Sequence, residues 1–247
     1  MNLCIDIGNT SVKAALFRGE KLREMYRFDT SLINEIAGIK EKYPVTDRLI
    51  VSSVRPLSKA IYEALENSFS KFVFLDHKTP LPLTNLYKTG ESLGSDRLAA
   101  VVGANNIYPE SNVLVVDAGT ALTFDVVTKN RQYLGGTISP GINTRLKALT
   151  EFTARLPYIS DNEEVRNNYG EILTADNTKD AIRAGVYNSI VYEVEGYISR
   201  LMEQYKPLKI IFTGGDANFF DKRLKYPIFV DLNLIFTGLN RILEYND

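Results

Sequence analysis

The sequence predicts an α/β protein of two similar halves, each a mixed sheet with flanking helices. The main observation is a repeated motif, in which an apolar strand ends in an Asp, a Gly-Thr turn follows, and a second strand begins. The motif occurs at Asp6 and again at Asp117, near the start of each half. The rest of each half alternates strand-like and helix-like apolar patterns, which favours helices packed on a sheet. We place the domain boundary after residue 112, giving domains 1–112 and 113–247.

In the first half, Ser31 is the predicted N-cap of a helix whose apolar residues recur at helical spacing. A second helix is predicted to begin at Pro56. Residues 76–94 lack periodicity, so we expect a long ordered loop there. Loops of this length in compact domains tend to be functional. A helix is expected to begin at Asp96. Apolar runs predict strands over 3–7, 12–17, 21–28, 49–54 and 71–75.

The second half repeats this plan. Gly214-Gly215 follows a predicted strand and precedes a helix. This turn would let a nucleoside approach closely, or it only connects the strand to the helix. A long helix is expected to begin at Thr178. Strands are predicted over 113–117, 122–127, 131–138, 209–213 and 228–230, and further helices over 142–152 and 232–244.

Both motifs place a carboxylate at the tip of a strand beside glycine. Gly and Asn tolerate the positive φ of tight turns, so an ordinary hairpin with a solvated Asp is one interpretation of Gly8-Asn9-Thr10. The alternative is a phosphate site, in which the Asp holds Mg²⁺ and backbone amides meet phosphate oxygens. Two such hairpins facing each other would bind a triphosphate from both sides, and the repetition favours this alternative.

Composition narrows the class of protein. Of the 247 residues 45% are hydrophobic and 24% charged, enough for a packed core. The net charge of −1 argues against non-specific nucleic-acid binding. One Cys and one His argue against a structural zinc site. The chain opens on a strand, not on a signal peptide, and no apolar run is long enough to span a bilayer, so we expect a soluble, cytoplasmic protein without membrane or nucleic-acid partners.

Four motifs in order carry a resemblance to a known family: Asp6-Ile-Gly-Asn-Thr-Ser-Val-Lys13, Gly94-Ser-Asp-Arg97, Asp117-Ala-Gly-Thr120 and Gly135-Gly-Thr-Ile-Ser-Pro-Gly141. Together they resemble type III pantothenate kinase, of the actin, Hsp70 and sugar-kinase superfamily, over essentially the whole chain. The resemblance implies two ribonuclease-H-like (actin-like ATPase) domains. It also implies ATP-dependent phosphorylation of pantothenate, the first step of coenzyme A synthesis, with Mg²⁺, a monovalent cation (K⁺ or NH₄⁺) and a homodimer.

The resemblance also assigns roles to single residues. Asp96 matches the general base, Asp117 the ligand of the monovalent cation, and Asp6 a position near Mg²⁺, directly or through water. In place of the family's usual Pro, Gly90 follows Tyr87 by three residues, which puts the rigidity of that loop in question. ATP contacts are implied for Asp6, Ile7, Gly8, Asn9, Thr10, Ser11, Val12, Lys13 and Thr120, and pantothenate contacts for Tyr87, Gly94, Ser95, Asp96, Arg97 and Thr178.

Three other functions stay open at this point. A superfamily kinase for another small hydroxylated substrate, such as a sugar, would share both hairpins. A non-catalytic regulator is the second, although the retained Asp6, Asp96 and Asp117 argue against lost catalysis. An actin-like assembly ATPase is the third, although the chain lacks the large insertions of such proteins. The Gly-x-x-x-x-Gly-Lys-Ser/Thr motif of P-loop kinases is not present.

Overall fold

The computed structural model describes residues 1–8, 11–28, 31–162, 166 and 172–247. These residues form two compact units. The first unit comprises residues 1–110, 127–134 and 233–247, and the second comprises 111–126 and 135–232. Both contain strands and helices, and the predicted α/β class with two mixed sheets is confirmed. The domain boundary after residue 112 stays a prediction.

The strands agree with the predicted runs to within one or two residues, with one addition. Thr84–Asn85 forms a short strand inside the segment predicted to be a loop. The strands are β1 Asn2–Ile7, β2 Val12–Arg18, β3 Lys21–Phe28, β4 Arg48–Ser53, β5 Lys71–Phe74, β6 Thr84–Asn85, β7 Asn112–Ala118, β8 Ala121–Val127, β9 Gln132–Pro140, β10 Leu208–Thr213 and β11 Phe229–Val230.

The helices also fall where helical spacing predicts them. In the described part of the chain, no helix combines the length and apolar character needed to cross a bilayer. The helices are α1 Leu32–Lys42, α2 Lys59–Ser68, α3 Ser95–Ile107, α4 Ile142–Glu151, α5 Thr178–Gln204, α6 Ala217–Phe220 and α7 Leu234–Tyr245.

The sheet of the first unit has the order β3-β2-β1-β4-β5. β1 lies at its centre, antiparallel to β2 and parallel to β4. Leu3, Cys4 and Ile5 are fully buried, which is typical of a central strand covered on both faces. Asp6 interrupts this apolar run near the carboxyl end of β1. The second sheet has the order β11-β10-β7-β8-β9-β6.

Two local predictions for the first unit were wrong. The second helix begins at Lys59 and not at Pro56, because Ser58 is the N-cap and its hydroxyl accepts a hydrogen bond from the amide of Ile61 at 3.3 Å. The segment 76–94 is not all loop, because β6 pairs with β9 in parallel. Ser31 does precede α1 as predicted, but its side chain makes no capping hydrogen bond.

The closest helix packing in the first unit is between α3 and α7. Their backbones touch at two glycines. A Cβ atom on Gly103 would lie 2.4 Å from the carbonyl oxygen of Leu234, and one on Gly238 would lie 1.8 Å from that of Ala99. Any side chain at either position would therefore push the two helices apart.

Gly238→Ala is expected to lower the free energy of unfolding by roughly 1–3 kcal/mol, because the added methyl group overlaps the Ala99 carbonyl. Gly38→Ala is the matched control. Gly38 is exposed within α1 and has open space around its Cβ position, so this change is expected to raise the free energy by about 0.5–1 kcal/mol. Urea unfolding followed by circular dichroism measures both. Wild-type stability in Gly238→Ala would contradict the close packing.

Candidate functional site

The first predicted phosphate loop is a hairpin between β1 and β2. Asp6 lies opposite Lys13 in the ladder, and Ile7 lies opposite Val12. The amide of Gly8 donates to the carbonyl oxygen of Ser11 at 3.0 Å, which closes the turn. The turn residues Asn9 and Thr10 lie outside the described residues.

Asp6 lies in an environment that disfavours its own charge. Its Oδ1 atom is buried and makes no hydrogen bond within the part of the chain that the structure describes. The pKa of Asp6 is raised from 3.8 to about 6, first by burial and then by the charge of Asp96, while a hydrogen bond from Ser52 and the charge of Lys13 oppose the rise. A buried carboxylate oxygen without a donor, next to a second carboxylate, suits a divalent cation. The residues present therefore fit Mg²⁺.

Asp96 lies in the first turn of α3, as predicted, and is half-buried. Its Oδ1 atom accepts a hydrogen bond from the amide of Arg97 at 2.8 Å. This carboxylate occupies the space beside Gly94, where a Cβ atom would lie 2.3 Å from Oδ1. Gly94 therefore leaves room for the carboxylate, and the positive end of the helix dipole favours its ionised form.

Ser52 links Asp6 to the start of α3 and was missed by the sequence prediction. It lies at the end of β4, beside Asp6 in the parallel ladder. Its hydroxyl lies 3.0 Å from that of Ser95 at the start of α3. The carboxyl ends of adjacent parallel strands meet at one sheet edge. A polar residue near the end of the predicted strand 49–54 was therefore the sequence signal that could have placed Ser52 beside Asp6.

Arg97 and Tyr87, both predicted pantothenate contacts, meet in the first unit. Arg97 is buried at the start of α3, and its guanidinium lies 5.5 Å from the centre of the Tyr87 ring. The Tyr87 ring stacks on that of Tyr133 in β9, with 6.2 Å between centroids. Tyr133 is a second residue that sequence reasoning missed, since only the pairing of β6 with β9 brings it close.

The second predicted phosphate loop lies in the second unit, between β7 and β8. Asp117 is near the end of β7, and the amide of Gly119 donates to the carbonyl oxygen of Ala121 at 2.9 Å. Thr120 is exposed at the tip of this turn. Its carbonyl oxygen accepts hydrogen bonds from the amide of Gly141 and the hydroxyl of Thr144, at 3.0 and 2.7 Å.

The Gly214-Gly215 turn packs against Asp117 and the strand that carries it. Gly214 has a φ of +90°, and a Cβ atom there would lie 2.3 Å from Oδ1 of Asp117. The amide of Asp216 donates to the carbonyl oxygen of Ala118 at 2.8 Å, which ties the turn to the end of β7. Only glycine satisfies both the backbone conformation and the space at position 214.

Thr178 is exposed as the first residue of α5, whose N-cap Asn177 accepts a hydrogen bond from the amide of Asp180 at 3.1 Å. It lies at the edge of a groove of about 1030 Å³ between α4 and α5. Within the described residues, no group of three or more His, Cys, Asp or Glu side chains could hold a metal ion.

Comparison with known proteins identifies the family of this chain. The sequence profile of the type III pantothenate kinase family matches residues 2–200. A type III pantothenate kinase from Phocaeicola vulgatus is 45% identical over 247 residues, which cover 100% of this chain and 99% of the relative.

Solved structures show the same fold. A Campylobacter jejuni protein described as a conserved Baf family transcriptional activator superimposes with a TM-score of 0.61 at 25% identity, covering 99% of this chain and 98% of that one. A Cytophaga hutchinsonii protein described as a sugar kinase gives a TM-score of 0.56 at 15% identity, covering 100% and 99%. The predicted actin-like ATPase and sugar-kinase fold is confirmed. Since the family profile matches most of the chain and a full-length relative is 45% identical, the chain belongs to the type III pantothenate kinase family.

Proposed function

We propose that this member of the type III pantothenate kinase family transfers the γ-phosphoryl group of ATP to the primary hydroxyl of pantothenate, giving 4′-phosphopantothenate. Family membership supports the kinase activity, the substrate and the place in coenzyme A synthesis. One observation carries the residue assignment: Ser52 pairs with Asp6 in the ladder and its hydroxyl lies 3.0 Å from that of Ser95, the residue before Asp96, so both carboxylates belong to one edge of the first unit. Phosphoryl transfer needs one such group for the metal and one for the acceptor proton.

We assign Asp6 to the Mg²⁺ of Mg·ATP, either directly or through water. Bound Mg²⁺ supplies charge neutralisation on the β- and γ-phosphates. The hairpin from Asp6 to Lys13 and the exposed Thr120 are the proposed phosphate contacts. Lys13 supports this assignment, because it is exposed and lies opposite Asp6 in the ladder.

We assign Asp96 as the general base. Its place in the first turn of α3 favours the carboxylate, the form that accepts a proton. The hydroxyl oxygen of pantothenate forms the new bond to the γ-phosphorus, and the bond from that phosphorus to the bridging oxygen breaks. ADP leaves, and the hydroxyl proton passes to Asp96.

Pantothenate carries a carboxylate and amide carbonyl oxygens, which suit a guanidinium. The buried Arg97 is the proposed donor to one of these groups, with Tyr87 beside it. Gly94 and Ser95 complete the proposed contacts in the first unit, and Thr178 is the proposed contact in the second.

We further propose that Asp117 binds a monovalent cation, K⁺ or NH₄⁺, and that the active unit is a homodimer in the cytoplasm. The groove between α4 and α5 supports the dimer, because it is mainly apolar and Phe152 on its edge is 84% exposed. Full activity from a species that sediments as a monomer at assay concentration would refute the dimer.

The test of this function is incubation with ATP, Mg²⁺, K⁺ and pantothenate, with mass-spectrometric detection of 4′-phosphopantothenate. Product formation is expected. No product under any cation condition would overturn the proposal and favour the second candidate, a regulatory protein. That candidate is supported by the likeness to the Campylobacter jejuni protein described as a Baf family transcriptional activator. Turnover of a sugar instead of pantothenate would favour a different kinase of the superfamily.

Asp96→Asn is expected to lower kcat by about 10²–10⁴, because the amide keeps the size of the side chain but accepts no proton. Calorimetric titration should show Mg·ATP binding close to that of the wild type. Glu35→Gln, which neutralises a carboxylate in the first turn of α1, is the control and should keep wild-type kcat. Near-wild-type turnover by Asp96→Asn would disprove the base assignment.

Asp6→Asn is expected to make the metal-free protein more stable and to weaken its binding of Mg·ATP. Because the folded-state pKa is raised, the folded protein holds this proton more tightly than the unfolded chain. The resulting stabilisation is complete below pH 3.8 and is lost as the pH rises through about 6. At pH 7 without metal, the free energy of unfolding of Asp6→Asn should therefore be roughly 1–3 kcal/mol higher than that of the wild type.

This advantage of Asp6→Asn should shrink as the pH falls from 6 towards 4. Mg·ATP should raise the unfolding temperature of the wild type but not that of the variant. Asp221→Asn removes an exposed charge and should change the free energy by no more than about 0.5 kcal/mol. A variant that is less stable than the wild type at pH 7, or that still responds to Mg·ATP, would argue against the metal assignment.

Turnover is expected to rise when K⁺ or NH₄⁺ replaces Na⁺ at constant ionic strength, and Asp117→Asn should blunt this response. Gly214→Ala should blunt it too, because its methyl group would lie 2.3 Å from Oδ1 of Asp117. Gly215→Ala is the matched control, since its Cβ position has open space. Equal rates in all three salts would contradict the cation site.

A further inference from the structure

We propose that Tyr133 is a positioning residue for the pantothenate site, because it fixes the ring and the backbone of the segment that carries Tyr87. This inference rests on the proposed function, in which Tyr87 and Arg97 contact pantothenate. Tyr133 itself lies in β9, far along the chain from both, and would act on substrate only through Tyr87.

The two tyrosine rings form a stacked pair. Tyr133 is 0% exposed, and its ring lies nearly parallel to that of Tyr87, with 6° between the planes and 6.2 Å between the centroids. Aromatic rings attract in offset-stacked arrangements at about 4.5–7 Å. Tyr87 is half-buried, so its ring lies against a fixed surface on one side and remains accessible.

The backbone of the same segment is also fixed at Tyr133. Asn85 in β6 lies opposite Tyr133 in β9. The amide of Leu86 donates to the carbonyl oxygen of Tyr133 at 3.0 Å, and the amide of Tyr87 donates to Oδ1 of Asn85 at 2.9 Å. The ring of Tyr87 and the peptide groups that precede it are therefore held by one short parallel strand pair.

Tyr87 transmits this restraint to Arg97. The buried guanidinium lies 5.5 Å from the centre of the Tyr87 ring, within the range of a cation–π contact. A Tyr87 ring that lost its support would leave Arg97 without one of its contacts. Pantothenate would then have to order both side chains on binding, which weakens its affinity.

This arrangement predicts an effect confined to pantothenate. The proposed phosphate contacts lie in the hairpin from Asp6 to Lys13 and at Thr120, and none of them is in the segment that Tyr133 supports. Loss of the Tyr133 ring should therefore raise KM for pantothenate and leave KM for ATP unchanged. A purely structural role would instead lower the concentration of active enzyme without a selective change in KM.

The experiment is a double-mutant cycle in the full-length kinase. Tyr133→Leu is expected to raise KM for pantothenate about 2- to 10-fold, the range given by the strength of an aromatic pair, while Tyr133→Phe keeps the ring and the wild-type KM. Tyr87→Leu should raise KM as well. Adding Tyr133→Leu to Tyr87→Leu should have no further effect, because the shared contact is already gone.

Two more variants keep the inference testable if Tyr133→Leu folds poorly. Asn85→Ala removes the acceptor for the Tyr87 amide and should raise KM for pantothenate selectively. Tyr62→Leu removes another aromatic pair of the first unit, that with Phe72 at 5.1 Å, and should leave both KM values unchanged.

The outcomes separate this inference from the proposed function. Wild-type protein that makes no 4′-phosphopantothenate would overturn the function. A normal wild type with unchanged KM for pantothenate in folded Tyr133→Leu, or in Asn85→Ala if Tyr133→Leu does not fold, would overturn the positioning role alone. Additive effects of Tyr133→Leu and Tyr87→Leu, or equal rises in KM for ATP, would also overturn it.

Discussion

The first unit depends on a buried carboxylate that the described part of the fold satisfies only in part. Asp6 interrupts the most buried strand of its sheet, and Oδ1 makes no hydrogen bond within the described residues. A buried polar atom without a partner is costly, and a protein that keeps one gains something from it elsewhere. In the proposed function, this oxygen is the one that binds the cation of Mg·ATP. The Ser52 and Ser95 hydroxyls, 3.0 Å apart, link its surroundings to the start of α3.

Glycine makes room for a carboxylate in each unit by the same means. Beside Asp96, a side chain on Gly94 would meet Oδ1 at 2.3 Å, and beside Asp117, a side chain on Gly214 would do so at the same distance. These glycines therefore fix where a charged oxygen can lie, in addition to allowing a turn. Catalysis by positioning needs such constraints, because phosphoryl transfer leaves the protein little covalent chemistry to perform.

Local patterns predicted most of the fold and the positions of the charged residues of the candidate site. Asp6, Asp96 and Asp117 end strands or begin helices, and such positions are visible in a sequence. Ser52 and Tyr133 were missed because their roles depend on strand pairing between distant segments, which fixes register only after the sheet forms. The start of α2 was misplaced for a local reason: Ser58 offers a capping oxygen, whereas Pro56 offers only a suitable φ.

The fold does not determine the acceptor, which depends on the segment that carries Tyr87. Likeness to a protein described as a sugar kinase at 15% identity shows a shared fold and leaves the acceptor open. In the proposed site, acceptors are distinguished by the wall where the buried guanidinium of Arg97 meets the ring of Tyr87. Such a wall suits a molecule with a carboxylate and amide groups better than a ring of hydroxyls. The effect of Gly90 on this wall stays a prediction; in this structure Tyr87 is held by the parallel pairing of β6 with β9 just before it and by the stack of its ring on Tyr133.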